Sequence, residues 1–218
     1  MRLGIFGGTF DPPHLGHLVV AQDACSALGL DRVLFVVAAA PPHKHGRAFA
    51  PAPLRLAMLR AALAGDDRFL PSDLELGRAG RSYTVDTLRQ LRADQPDAQL
   101  FLLIGADQAR EFRTWREPDE IARLATVVAL SREGDSGPTP GDAALRTLAV
   151  TRLDISATDI RRRVAAGEPV RYLVPDAVAA IIRREHLYRS PAEDTLADAL
   201  EGRAAAGLGE DRTPAAGV

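Results

Sequence analysis

Apolar and polar positions follow two rhythms along this chain. Short, nearly continuous apolar runs occur at Leu3–Phe6, Arg32–Ala38, Phe69–Leu76, Gln99–Ile104, Thr126–Leu130 and Leu148–Leu153. Runs of this length read as strands, and the near absence of polar interruption suits a parallel sheet covered on both faces. Between them the spacing becomes helical, over Leu15–Leu28, Pro53–Ala64, Thr84–Ala93, Asp107–Thr114, Pro118–Leu124, Ser156–Ala166 and Pro175–His186. Leu54, Met58, Leu59 and Leu63 keep one face of the second helix, and Val85, Leu88 and Leu91 one face of the third. Strand-helix alternation predicts a single α/β domain with a doubly wound, mostly parallel sheet. Ligands of such sheets sit beyond the carboxyl ends of the strands.

Two stretches break the rhythm. Ser131–Asp142 is a loop by its Gly, Pro, Ser and Asp content. From Ser190 to the end the chain has no long apolar face and is rich in Ala, Gly and acids, so residues 190–218 read as a mobile tail with a short helix around Thr195–Leu200. Residues 1–189 form the domain. The 218 residues suffice for a full core, and the apolar and charged shares, 46% and 26%, are ordinary for a soluble protein. The apolar stretch Val33–Pro42 is too short to span a bilayer, and Gly7, Gly8 and Asp11 interrupt any signal-peptide core. The single cysteine, Cys25, excludes an internal disulfide and a multi-cysteine metal site, and its helical spacing makes it a small core residue. These features place the chain in the cytoplasm.

A net charge of −2 gives no global case for nucleic-acid binding. The tail, however, holds six acidic residues against two arginines, so residues 1–189 are net positive. A mildly basic domain suits an anionic ligand.

Candidate chemistry gathers at the predicted strand ends. The first strand stops at Gly7-Gly8, Thr9-Phe10-Asp11-Pro12-Pro13 follows, and His14 and His17 open the first helix around Gly16. Glycines let a ligand approach the backbone, and a helix N-terminus offers N–H groups and positive potential to phosphate. Four of the five histidines fall between residues 14 and 45: His14, His17, His43 and His45. Zinc is disfavoured, because His-x-x-His lacks the Glu neighbour of metalloprotease helices. Pro41-Pro42-His43-Lys44 follows the second strand, and Lys44 is the only lysine in a chain that otherwise uses arginine. Its compact charge suits a phosphate oxygen. Ile155-Ser156-Ala157-Thr158-Asp159-Ile160-Arg161 follows the last strand, and Ser156 with Asp159 has capping-box spacing. Arg161, Arg162 and Arg163 point in different directions on a helix, so only one or two can face one ligand. Gly105-Ala106-Asp107, with Trp115 downstream, offers a carboxylate for ribose or for a helix cap, and a ring for stacking or for the core. Arg78 to Thr87, read alone, is a turn entering a helix.

Together these segments resemble the bacterial nicotinate-nucleotide adenylyltransferases, enzymes of NAD synthesis in the nucleotidyltransferase superfamily marked by a His-x-Gly-His element. Gly8–His17 is similar to the superfamily signature, and Ile155–Arg161 to the family's Ile-Ser-Ser-Thr-x-Ile-Arg, with Ala157 in place of a serine. Pro41–Lys44, the stretch through Ser82-Tyr83-Thr84, and Gly105–Asp107 with Trp115 match in order. The match covers about residues 1–189. The resemblance implies a Rossmann-like fold and transfer of the adenylyl group of ATP to nicotinate mononucleotide, giving nicotinate adenine dinucleotide and pyrophosphate. The first motif alone is shared with enzymes acting on phosphopantetheine. An acceptor such as phosphopantetheine or nicotinamide mononucleotide, or a nucleotide-binding module without turnover, is the alternative.

In that reading His17, His14, Lys44 and Arg161 are the catalytic set. Gly7, Gly8, Thr9, Phe10, Gly16, His17, Ser156, Thr158 and Arg161 bind ATP. Lys44, Tyr83, Thr84, Asp107 and Trp115 bind the mononucleotide, with Trp115 stacked on the pyridine, amides near Thr84 on its carboxylate and Asp107 on the ribose. The attacking phosphate monoester has a second pKa of about 6, so no general base is needed. No protein metal site is expected; Mg2+ is expected on the ATP phosphates. The partners are ATP and nicotinate mononucleotide, without nucleic acid or membrane, and a homo-oligomer is compatible with the chain.

Overall fold

A computed structural model describes residues 1–39, 50–78, 80–132 and 145–189. Six strands form one sheet: β1 (Arg2–Gly8), β2 (Arg32–Val37), β3 (Phe69–Ser72), β4 (Gln99–Gly105), β5 (Thr126–Arg132) and β6 (Leu145–Val150). The order is β3-β2-β1-β4-β5-β6, and every pairing is parallel. The chain builds outward from β1 to β3, then returns to place β4 on the other side of β1. Adjacent loops at the carboxyl ends of β1 and β4 therefore leave toward opposite faces and open a crevice.

The helices are α1 (Leu15–Leu28), α2 (Ala52–Leu63), α3 (Thr84–Asp94), α4 (Ala106–Glu111), α5 (Pro118–Leu124), α6 (Ala157–Ala165) and α7 (Asp176–Arg184), with a 3-10 turn at Phe112–Thr114. Strand side chains alternate between faces. Val33, Phe35 and Val37 meet Ala21, Ala24 and Leu28 of α1 and Leu59 of α2. Val36, Leu102 and Ile104 meet Val85, Leu88 and Leu91 of α3 and Ile121 of α5 on the other face. Each large apolar side chain so buried contributes roughly 1.5–3 kcal/mol. Helices α6 and α7 form a third layer on α2, where Ile160, Val178 and Ile182 surround Met58. Among the described residues no helix is long and apolar enough to cross a membrane.

Several boundaries differ from the sequence reading. Gly7 and Gly8 belong to β1, paired with Val36 and Val37, rather than to the turn. A Cβ on Gly8 would stand 2.9 Å from the Phe10 ring, so the glycine is required for packing. Strand β3 ends at Ser72, where the chain turns and the Leu76 N–H donates to the Asp73 carbonyl at 2.7 Å. Strand β6 lies three residues earlier than expected. Beyond Val150 the Thr151 N–H leaves the sheet and donates to Asp23 Oδ2 at 2.7 Å. The helix expected over Asp107–Thr114 is divided into α4 and the 3-10 turn. Helix α7 stops at Arg184, ahead of left-handed His186. Ser131 and Arg132 are strand residues, and the rest of the expected loop lies outside the described residues, as do Pro41–Lys44, His45 and the tail.

Candidate active site

The turn between β1 and α1 is shaped around Phe10. Its backbone is left-handed, with φ of 48°, and its ring is buried against Phe6, Phe35 and His17. Asp11 follows, 1% exposed, and precedes a cis peptide to Pro12. His14 is the N-cap of α1 in extended backbone, and the first turn of that helix carries no acidic residue to offset its positive end. The His14 and His17 rings stack with centroids 3.7 Å apart. Gly16 makes this possible, since a Cβ there would meet the His14 ring at 3.0 Å. The His14 N–H donates to His17 Nδ1 at 3.2 Å. With Nδ1 accepting, the proton of the neutral ring sits on Nε2, which becomes a donor.

Helix α6 brings a second terminus to the same place. Ser156 caps it, its Oγ accepting from the Asp159 N–H at 3.1 Å. The reciprocal half of a capping box is absent, because Asp159 pairs with Arg162 and Arg163 instead. Arg161 is 9% exposed and turns inward, donating to the Asp11 carbonyl at 2.6 Å and to Thr158 Oγ1 at 3.2 Å. Arg162 and Arg163 stay at the surface in ion pairs with Asp159 and Glu168.

Two cavities occupy the crevice. The first, about 510 Å³, is walled by Thr9, Phe10, Asp11, His14, Gly16 and His17 on one side, by Ser156, Thr158 and Arg161 on another, and by Asp107 and Arg110 on α4. The second, about 290 Å³, is walled by Gly7, Gly8, Glu75, Ser82, Thr84, Thr87 and Trp115. Thr9 and Gln108 belong to both walls, so the cavities adjoin at the ends of β1 and β4. Gln108 is held there by the Gly105 N–H, which donates to its Oε1 at 3.2 Å.

The sequence reading grouped these residues somewhat differently. Gly7 and Gly8, assigned to ATP, face the second cavity. Asp107, assigned to the mononucleotide ribose, stands on the first cavity, exposed and paired with Arg110. Thr84 and Trp115 share the second cavity, with Trp115 half-buried against Phe112. Tyr83 lies on neither wall; its ring packs on the core beneath the Arg116 guanidinium. Lys44 lies outside the described residues.

Four polar side chains escaped the sequence reading. Arg55, 3% exposed, donates to the carbonyls of Thr9, Ala38, Ala39 and Ala50, fastening the ends of β1 and β2 together. Burial pulls its pKa below the ordinary arginine value, and the charge of Asp11 opposes that pull. Its position four residues before Leu59, on the buried stripe of α2, was a readable signal. Glu75, on the second cavity, accepts from Thr87 Oγ1 at 2.8 Å, and Arg78 donates to the same hydroxyl at 2.8 Å. Burial raises the Glu75 pKa, against the lowering effects of the Thr87 bond and Arg78. Gln108 and Tyr188 had no local sequence signal.

Residues 5–163 match the cytidylyltransferase-like family. A Thermus thermophilus protein named "Probable nicotinate-nucleotide adenylyltransferase" is 50% identical over 192 residues, covering 87% of this chain and all of that one. A Shouchella clausii protein of the same name is 44% identical, over 86% of this chain and 96% of that one. The solved Plasmodium falciparum nicotinic acid mononucleotide adenylyltransferase, complexed with APC, has the same fold. Its TM-score is 0.69 at 15% identity, over 86% of this chain and 96% of that one. The chain belongs to the cytidylyltransferase-like family and, within it, to the nicotinate-nucleotide adenylyltransferases.

Proposed function

We propose that the chain transfers the adenylyl group of ATP to nicotinate mononucleotide, forming nicotinate adenine dinucleotide and pyrophosphate in NAD biosynthesis. The observation that carries this reading is the pair of adjoining cavities. One is walled by imidazoles, hydroxyls, two guanidinium groups and helix N-termini; the other holds the only tryptophan. The first suits a triphosphate and the second a flat aromatic ring. Their junction at Thr9 and Gln108 is where the two reacting phosphates would meet.

The acceptor's phosphate oxygen attacks the α-phosphorus in line, forming one P–O bond as the bond to the β-phosphate oxygen breaks. That acceptor is ionised near neutral pH, so the protein's task is alignment and charge stabilisation. His17, with its proton on Nε2, donates to the α-phosphate as charge develops there, and His14 stacks on it and fixes its plane. Ser156, Thr158 and Arg161 hold the departing β- and γ-phosphates, with the N-terminus of α6 beneath them. Thr84 and Trp115 hold the acceptor's ring. Lys44 neutralises phosphate charge.

Magnesium is expected on the triphosphate. Among the described residues no cluster of three His, Cys, Asp or Glu side chains is placed to hold a metal ion. The wall offers phosphate donors and one accessible carboxylate, Asp107. That set fits an ion that arrives on the nucleotide and keeps most of its waters. Bound there, it supplies charge neutralisation to the leaving pyrophosphate.

Pyrophosphate release from ATP, measured with nicotinate mononucleotide, nicotinamide mononucleotide and phosphopantetheine in turn, tests the reading. Release fastest with nicotinate mononucleotide is expected. Release confined to phosphopantetheine, or ATP binding without release for any acceptor, overturns it.

A further inference from the structure

The segment that follows α7 reaches back to the turn between β1 and α1. The Leu187 N–H caps α7 by donating to the Ile182 carbonyl at 3.0 Å. His186 and Tyr188 are both left-handed, with φ of 49° and 66°, a conformation non-glycine residues rarely adopt. This double bend carries the half-buried Tyr188 ring across the α2–α7 layer. Its hydroxyl donates to Asp11 Oδ1 at 2.5 Å, spanning 177 residues of sequence. Burial and the Asp11 charge raise the phenol's pKa well above its ordinary value, so the donor is protonated throughout the working range.

Asp11 has few other anchors. Oδ1 also accepts from the Ala50 N–H, at a longer 3.2 Å. Oδ2 is buried and has no hydrogen-bond partner among the described residues. Yet Asp11 stands between strained Phe10 and the α1 cap at His14, and its own carbonyl receives Arg161. Asp11 and Arg161 both wall the first cavity, and neither walls the second.

We infer that Tyr188 is a positioning residue for the triphosphate: its hydroxyl fixes Asp11 and, through it, the placement of Arg161 and the His14 turn. Without the hydroxyl, a buried carboxylate keeps one long hydrogen bond and must turn or admit water. The turn and Arg161 shift with it, while the walls around Trp115 stay in place.

The assignment of the first cavity to ATP comes from the proposed function, so the test reads binding of each ligand rather than turnover. Tyr188→Phe is titrated calorimetrically with α,β-methylene ATP, and with nicotinate mononucleotide by Trp115 fluorescence. Affinity for the ATP analogue is expected to fall about five- to tenfold, a part of what one hydrogen bond to a charged group contributes. Mononucleotide affinity should stay within about twofold. Leu187→Ala, which loosens the same segment without touching Asp11, is expected to lower the melting temperature and leave the ratio of the two affinities unchanged. Unchanged analogue affinity in Tyr188→Phe overturns the proposal. So does an equal loss of both ligands, failure of Tyr188→Phe to fold, or a ratio shift of the same size in Leu187→Ala. Wild-type protein that binds the analogue but releases no pyrophosphate with any acceptor would instead count against the proposed reaction, and leaves this test standing.

Discussion

The two cavities share Thr9 and Gln108 but are held differently, the second having one part-buried polar group, Glu75 and Arg78 on the Thr87 hydroxyl, on its wall. The first has two buried polar links of its own, Arg161 to the Asp11 carbonyl and Tyr188 to the Asp11 carboxylate, while Arg55 ties Thr9, on both walls, to Ala38 and Ala39 on the second. Loss of one partner in such a link exposes the full desolvation cost of the other. The second is bounded by α3 and the segment around Trp115, and Arg89 of α3 joins that segment through exposed ion pairs to Glu117 and Glu120. Water and salt screen pairs of that kind, and they add little rigidity. The contrast suits the two ligands proposed. Donors to a reacting phosphate must be placed to a fraction of an ångström, whereas a flat ring needs an apolar wall that can settle onto it.

The largest effect should come from the first cavity. His17→Ala is expected to lower turnover about 100–1,000-fold, the usual cost of one preorganised donor to a developing oxyanion. Nicotinate mononucleotide affinity, read from Trp115 fluorescence, should be nearly unchanged. Wild-type turnover in this variant would remove His17 from the mechanism, and a parallel loss of mononucleotide affinity would show that the cavities are not separable.

Trp115→Ala attacks the comparison from the other side. Stacking on an aromatic wall contributes roughly 2 kcal/mol, so the KM for the mononucleotide should rise about 30-fold. Calorimetric affinity for α,β-methylene ATP should be unaltered. Loss of analogue affinity here would mean that the Trp115 segment helps to shape the phosphate wall.

The same contrast explains what the sequence disclosed. The donors of the first cavity lie in two contiguous motifs, Gly8–His17 and Ile155–Arg161, because adjacent residues at a strand-helix junction share one wall. The fold was legible for a related reason. Parallel strands buried on both faces leave apolar runs that no surface strand would show. The fasteners were not legible. Tyr188 and Asp11 meet across 177 residues, through a double left-handed bend that no local pattern announces. Glu75 reads as a surface acid until the turn beyond β3 folds it against Thr87. Tyr83 sat in the right motif, but residue 84 begins a helix, so neighbouring side chains diverge and Tyr83 turns into the core. The β6 register was missed because one side-chain carboxylate, Asp23, captures the next backbone donor.

A smaller effect sharpens the boundary of the first cavity. Ser156 caps the helix that carries Thr158 and Arg161. Ser156→Ala should lower stability by about 1 kcal/mol and Ser156→Gly by only a few tenths. Thermal melts of the two variants, paired with ATP-analogue titrations, separate the cap from any phosphate contact. If the hydroxyl also touches phosphate, both variants lose affinity equally although their stabilities differ. If it only caps, affinity follows stability.

The smallest effect belongs to the second cavity, where Glu75 is the one ionisable side chain on the described wall. Its carboxyl is raised by burial, with the Thr87 bond and Arg78 pulling the other way. The folded chain therefore holds this proton more tightly than the unfolded chain does. A raised carboxyl favours the fold at low pH, and that contribution fades as pH climbs from the unfolded value through the folded one. Glutamine mimics the protonated acid and still offers Thr87 an acceptor. Melting temperatures of Glu75→Gln and wild type should nearly coincide at about pH 4, then separate in favour of Glu75→Gln as pH rises to about 8. A gap that is constant with pH, or that favours wild type at high pH, would mean that Arg78 and Thr87 outweigh burial. The second cavity would then be fastened by a buried polar link like those of the first, and the contrast between the two would fail at that point.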